Sequence, residues 1–299
     1  MTESRLRRSV HFVPGANEKL LVKSLATEAD SLVLDLEDAV TPDLKGEARA
    51  TVLGWLKDVD FGRQERMVRM NPLDTPWGLD DLRETMVAPP DMYMVPKVGT
   101  LAEIMTIDKE ITALEERYGH PAGGVGLLLI ATEVPQGVLN MQSFTECERV
   151  KALSWGAEDL SAALGAPRNR DASGHYLDVY KHCRVQTLLC AAAGGVQPVD
   201  TVFVDIRDLD ALREESQEGA WMGYTGKITI HPDQIPIVNE MFTPSAEEVA
   251  EATELMEAFE KAEAEGLMVF SFLGQMVDVP HLERARKTLE RAKQVGGGE

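Results

Sequence analysis

Two carboxylates carry the first chemical signal in this chain. Glu133 in LLLIATEVPQG and Asp159 in LSWGAEDLSAALG each follow a short apolar run. A charged side chain just past a buried strand is costly to desolvate unless a cation or partner compensates it. Two such positions on neighbouring strands therefore imply a shared charge centre, and they read as the two side-chain ligands of a divalent cation. Hard oxygen ligands without a nearby Cys or paired His favour Mg2+, with Mn2+ as the alternative, over zinc. Such an ion keeps several waters, which leaves room for a bidentate 2-oxo or 2-hydroxy acid. Glu37 and Asp38, in LVLDLEDAV, are suited to hold those waters from behind.

Other chemistry-bearing residues fall at comparable places. Arg69 in MVRMN suits a fork for a carboxylate or for a carbonyl that becomes an enolate. Lys97 in VPKVG raises a rival mechanism, a Schiff base with a ketone substrate, although beside a metal pair it would serve charge balance instead. His231 in TIHPDQ reads as a cap on the following helix or a closure of the rim. Neither a GxSxG sequence nor a Walker loop is present, which leaves serine hydrolase and P-loop chemistry without support.

The elements that must position these residues follow a regular order. Short β-rich runs at Ser9 to Val13, Ser31 to Leu36, Met67 to Met70, Met92 to Val95, Val125 to Ile130, Ala152 to Trp155, Thr201 to Val204 and Lys227 to Ile230 alternate with amphipathic stretches, among them a helix expected over Gln136 to Val150. Strict βα alternation predicts a parallel sheet, and eight units in about 240 residues is the length of a (β/α)8 barrel. In such a barrel the loops after the strands build the active site, and the residues named above, together with Asp205 after the seventh run, all lie there. Residues 1–242 are expected to form the catalytic barrel and residues 243–299 a C-terminal helical extension. The extension opens with Ser245 as N-cap, and its apolar segment Leu267 to Val279 needs burial, for which another subunit is one place.

Composition narrows the classes of partner. Of 299 residues, 30 are Lys or Arg and 50 are Asp or Glu, for a net charge of −20, which disfavours nucleic acid and anionic membranes. Cys147, Cys183 and Cys190 have no CxxC spacing, so neither a disulfide framework nor a zinc site is suggested, and a reducing cytoplasm fits. No apolar run is long enough for a membrane span or a signal peptide.

The segments RRSVHFVPGANEKLLVKSL, LVLDLEDAV, MVRMNPLDTPWGLDDL, YMVPKV, ATEVPQGVLN, SWGAEDLSAALGA, ITIHPDQIPIVNEMFTPS and FSFLGQMVDVPHLERA run through nearly the whole chain. Together they make it resemble the citrate lyase beta subunit-like acyl-CoA lyases of the HpcH/HpaI aldolase superfamily, which include malyl-CoA and citramalyl-CoA lyases. The resemblance implies a Mg2+-dependent barrel with Glu133 and Asp159 as metal ligands and Arg69 as the substrate arginine. It also implies that Phe12 and Lys23 contact coenzyme A. Asp278 in GQMVDVPH would be the acid/base, supplied by a neighbouring subunit of a trimer or hexamer. The implied reaction cleaves a 3-hydroxy-3-carboxyacyl-CoA to acetyl-CoA and a 2-oxo acid, glyoxylate or pyruvate. The alternatives are a malyl-CoA thioesterase and a citrate lyase beta subunit that acts on a carrier-bound acyl group. One departure is Asn17, where relatives carry an arginine that meets phosphate; Arg168 and Arg170 could supply positive charge instead.

Overall fold

In the computed structural model, residues 5–15, 17–264, 266 and 269–296 are described. Eight parallel strands, β1 (Ser9–Val13), β2 (Ser31–Asp35), β3 (Glu65–Arg69), β4 (Met92–Val95), β5 (Gly126–Ile130), β6 (Val150–Ser154), β7 (Gln197–Asp200) and β8 (Gly226–Thr229), close into a barrel in sequence order, with β8 pairing back on β1. Helices α1 (Glu18–Leu25), α2 (Lys45–Asp58), α3 (Gly78–Thr85), α4 (Leu101–Tyr118), α5 (Pro135–Asn140), α6 (Ala157–Leu164), α7 (Asp178–Gly194), α8 (Leu209–Met222) and α9 (Gln234–Met241) make the returns. The chain is a (β/α)8 barrel.

Alternation along each strand divides the core in two. In β5, Leu128 and Ile130 face the barrel interior, where they meet Val10, Val33, Met67, Met94 and Ile228. Leu127 and Leu129 face outward, into the larger layer shared with Ile104, Ile107 and Ile111 of α4. Both sides are apolar because a parallel barrel strand is covered on both faces. The long α4 is fixed at both ends. A Thr100–Glu103 capping box opens it, and Gly119, at φ +72°, closes it in the left-handed conformation that glycine adopts without penalty.

Three expectations about elements are corrected. The seventh strand is Gln197–Asp200, not Thr201 to Val204. The β-branched run TVFV reads as a strand, but Thr201 and Val202 instead turn over the barrel mouth and Val204 is half exposed. Asp205 is therefore not a strand-end residue: its Oδ1 accepts from Arg207 N in a surface turn. The helix expected over Gln136 to Val150 is instead α5 followed by a 3-10 stretch, Met141–Glu146, before β6 begins. Asp159, expected in a loop, sits in the first turn of α6, next to Glu158.

The chain divides into two compact units, Arg7–Asn239 and a second built chiefly from the residues from Glu240 on. The second contains α10 (Ala246–Ala264), a hairpin of β9 (Phe270–Phe272) and β10 (Gln275–Val277), and α11 (Val279–Gly296). Ser245 caps α10 as expected, exchanging hydrogen bonds with Glu248. Within the apolar segment, Leu267 and Met268 lie outside the described residues, while Leu273 and Met276 of the hairpin region are exposed. No helix among the described residues is long and apolar enough to cross a membrane.

Candidate active site

The loop after β5 delivers Glu133 into a tight space. A Cβ on Gly156 would stand 2.8 Å from Glu133 Cγ, so only glycine permits the approach of the β6 loop. Glu133 Oε2 accepts from the backbone N–H of Lys97 at 2.7 Å. Burial, and then the negative charges of Asp159 and Glu37, push its pKa up to about 8. The Lys97 amide and the Arg69 charge oppose that rise without outweighing it. Asp159 lies in the first turn of α6, partly open to solvent, with Oδ1 at 3.3 Å from Lys97 Nζ.

Arg69, the last residue of β3, is clamped from below. Its Nε and Nη2 each donate to Asp35 at 2.7 Å, a bidentate pair, and its guanidinium lies 4.6 Å over the Phe12 ring. Nη1 is 2.8 Å from Glu37 Oε2, outside hydrogen-bond geometry. Burial alone would lower the Arg69 pKa, but the hydrogen bonds and charge of Asp35 outweigh it and hold the group protonated. Glu37 is raised by burial, against the opposing pull of Arg69 and Lys97. Lys45 Nζ donates to the carbonyls of Leu36 and Glu37 and so fixes the turn that presents Glu37.

Lys97 occupies the left-handed region, at φ +52°, a conformation rare for a residue with a side chain. Its Nζ donates to Glu37 and also approaches Asp38 at 3.5 Å. Burial would lower its pKa, but Glu37 and the other carboxylates raise it. A Schiff-base lysine must be neutral to attack a carbonyl. Lys97 is held in the opposite state, as the counter-charge of the acidic cluster.

Phe12, Arg69, Glu133, Asp159, Trp155 and Val202 all line one cavity of about 100 Å3 at the barrel mouth. That is room for several waters or for a small organic acid. Among the described residues no group of three or more His, Cys, Asp and Glu is arranged to hold a metal. Glu133, Glu158 and Asp159 are the carboxylates in the lining, and hard oxygen donors few enough to leave positions for water or substrate would suit Mg2+ better than a metal that needs a full protein cage.

The other expected residues are placed as follows. Glu37 and Asp38 serve Arg69 and Lys97, and neither lines the cavity. Lys23 is exposed in the last turn of α1 and is not part of the cavity lining. Asn17 caps α1 by accepting from Leu20 N. Arg170 is no free cation: it pairs with Glu215 at 2.7 Å and stacks 3.6 Å over Tyr176. His231 Nδ1 accepts from Asp233 N, in keeping with a cap on the turn before α9. Asp278 belongs to the second unit, where its Oδ1 lies 2.6 Å from His281 Nδ1. Sequence reasoning missed Asp35, which anchors Arg69, and Trp155, whose indole N–H donates to the fully buried Asp200 at 2.7 Å. The alternation in LVLDL could have flagged Asp35; nothing local marks the pairing of Trp155 with Asp200.

Residues 8–232 match a family model described as HpcH/HpaI aldolase/citrate lyase. The chain belongs to this family. It is 35% identical over 295 residues to citrate lyase subunit beta of Escherichia coli, covering 98% of this chain and 96% of that one. It is 36% identical over 304 residues to the mitochondrial citramalyl-CoA lyase of Homo sapiens, covering 97% of this chain and 86% of that one. A crystal structure of the protein CitE from Mycobacterium tuberculosis, in complex with magnesium, acetoacetate and coenzyme A, superposes with a TM-score of 0.79 at 32% identity. That match covers 96% of this chain and 98% of that one.

Proposed function

We propose that this family member is a Mg2+-dependent carbon–carbon lyase that reversibly cleaves a 3-hydroxy-3-carboxyacyl-CoA of the malyl or citramalyl type to acetyl-CoA and a 2-oxo acid. The observation that carries the reading is the shared cavity at the barrel mouth, where Glu133 and Asp159 stand with Arg69, a guanidinium fixed by Asp35. The relatives support it: two are named as a citrate lyase subunit and a citramalyl-CoA lyase, and the CitE complex holds magnesium and coenzyme A.

Glu133 and Asp159 would hold the ion. When bound, Mg2+ supplies Lewis acidity that lowers the pKa of the substrate hydroxyl. Arg69, already fixed by Asp35 and Phe12, orients the substrate carboxylate and offers positive charge where the new carbonyl and enolate develop. The bond between the hydroxyl-bearing carbon and the carbon next to the thioester breaks. Its electron pair passes into the acetyl-CoA enolate, and the hydroxyl proton leaves to water as the 2-oxo acid forms. Asp278 of a second copy of the chain returns a proton to the enolate carbon and removes one from the acetyl methyl in the reverse direction. Phe12, in the cavity lining, and Lys23, outside it, would meet the coenzyme A moiety.

A panel of thioesters assayed with Mg2+ tests the substrate class. Asp278→Asn tests the proton carrier: it should lose both cleavage and exchange of the acetyl-CoA methyl protons, and retention of both would remove Asp278 from the mechanism. The citrate lyase relative favours a second reading, action on a carrier-bound acyl group. That reading requires the isolated protein to leave free CoA thioesters intact.

A further inference from the structure

A buried ionic ring lies behind one wall of the cavity, and none of its charges touches the metal carboxylates or Arg69. Asp200, at the end of β7, accepts from the Trp155 indole on Oδ1 and from Arg184 Nη2 at 2.8 Å on Oδ2, with Lys227 Nζ at 3.4 Å. Lys227, fully buried in β8, reaches Glu215 at 2.9 Å, and Glu215 pairs with Arg170. Arg170 stacks on Tyr176, and Tyr176 meets Trp155 edge-on at 5.0 Å. The circuit thus begins and ends at Trp155.

Burying this many charges brings little net stability over an apolar core, so its structural product is the more informative feature. That product is one fixed indole. Its N–H is tied to Asp200, its edge is packed on Tyr176, and it is 1% exposed. With Val202, Ile130, Ile228 and Phe12 it makes the apolar part of the cavity lining, to which Arg69, Glu133 and Asp159 add the polar part. A 2-oxo acid whose carboxylate and keto oxygen engage the polar residues has one remaining substituent on its keto carbon, and the apolar residues are what is left in the lining to receive it.

We propose that Trp155, held in place by Asp200, sets the size of the group carried by the keto carbon, and that the apolar wall selects a 2-oxo acid bearing a short alkyl group over one bearing hydrogen. The inference rests on the lyase reading above. One methylene in such a pocket is worth about tenfold or more in discrimination.

The test is the condensation direction, with acetyl-CoA and Mg2+, comparing kcat/KM for glyoxylate, pyruvate and 2-oxobutyrate. The wild-type enzyme should prefer pyruvate to glyoxylate by about tenfold. Trp155→Leu should move the preference toward 2-oxobutyrate by about tenfold relative to pyruvate, with Trp155→Phe giving a smaller shift in the same direction. Val202→Leu, which fills the same wall, should move it the other way, toward glyoxylate. An active wild type that prefers glyoxylate, or variants that fold with unchanged ratios, would overturn the inference and leave the lyase reading intact. A wild type that condensed none of the three acids would overturn both.

Discussion

Lys97 touches both carboxylates of the candidate metal pair: its backbone N–H donates to Glu133 at 2.7 Å and its ammonium stands 3.3 Å from Asp159. The left-handed backbone at φ +52° aims the amide at one acid while the side chain reaches the other. Strain of this kind persists only where the surroundings over-determine it.

Lys97→Met should therefore separate its two duties. Loss of the ammonium removes a cation that competes with the metal for Asp159, so Mn2+ or Mg2+ binding without substrate should tighten roughly tenfold, while the KM of the anionic substrate rises. Titration by calorimetry or by Mn2+ electron paramagnetic resonance reads the first effect. Weaker metal binding would mean that Lys97 supports the ion instead of standing in for it. Borohydride with substrate should leave the wild-type enzyme active.

Stability should depend on pH in a direction fixed by Glu133. Its folded pKa, about 8, lies above the ordinary value of 4.5, so the folded state holds the extra proton; that contribution is full at low pH and is lost as pH rises through about 8. Glu37, also raised, acts with the same sign. His11 acts oppositely but lower. Burial pushes its pKa from 6.5 down to about 4, so its contribution is present above 6.5 and lost as pH falls through 4. Between about pH 6.5 and 8 the metal-free protein should lose melting temperature as pH rises, and Mg2+ should restore more of it at the upper end. A metal-free Tm that is flat or rising across that window would contradict the assignment.

Asp35 should matter to catalysis without touching substrate. Its carboxylate holds Arg69 by two 2.7 Å hydrogen bonds, and Asp35→Ala frees the guanidinium to swing toward Glu37 and Asp38. Loss of such positioning is expected to lower kcat by about 100-fold with a smaller change in KM. Arg69→Lys should be worse, because a point charge cannot replace the fork. If Asp35→Ala kept full kcat, Arg69 would not need its anchor.

The ring behind the cavity carries a stability cost when opened. Asp200→Ala leaves Lys227, 0% exposed, and Arg184 with one fewer partner in the core. Breaking a buried pair from one side costs about 3–5 kcal/mol, readable in urea unfolding. A loss below about 1 kcal/mol would show the ring to be solvated in practice.

Much of the barrel was legible because its strands are short apolar runs between helices of ordinary length. The seventh strand was not: Pro198 reads against a strand, and the β-branched TVFV just beyond it reads for one, so the assignment slid toward Val204 and hid Asp200. The helix α6 is eight residues between Gly156 and Gly165, too short for periodicity to announce. Glu133, Asp159 and Arg69 could be brought together on paper because barrel chemistry gathers at strand ends. Asp35 with Arg69, and Trp155 with Asp200, could not. These partners lie 34 and 45 residues apart, and only the closed barrel makes them neighbours.

The most direct measurement is product analysis of malyl-CoA and citramalyl-CoA incubated with the purified protein, with Mg2+ and then with EDTA. The expected products are acetyl-CoA with glyoxylate or pyruvate, formed only with the metal and lost in Glu133→Gln. Free hydroxy acid with CoASH, or cleavage undiminished by EDTA, would contradict the account.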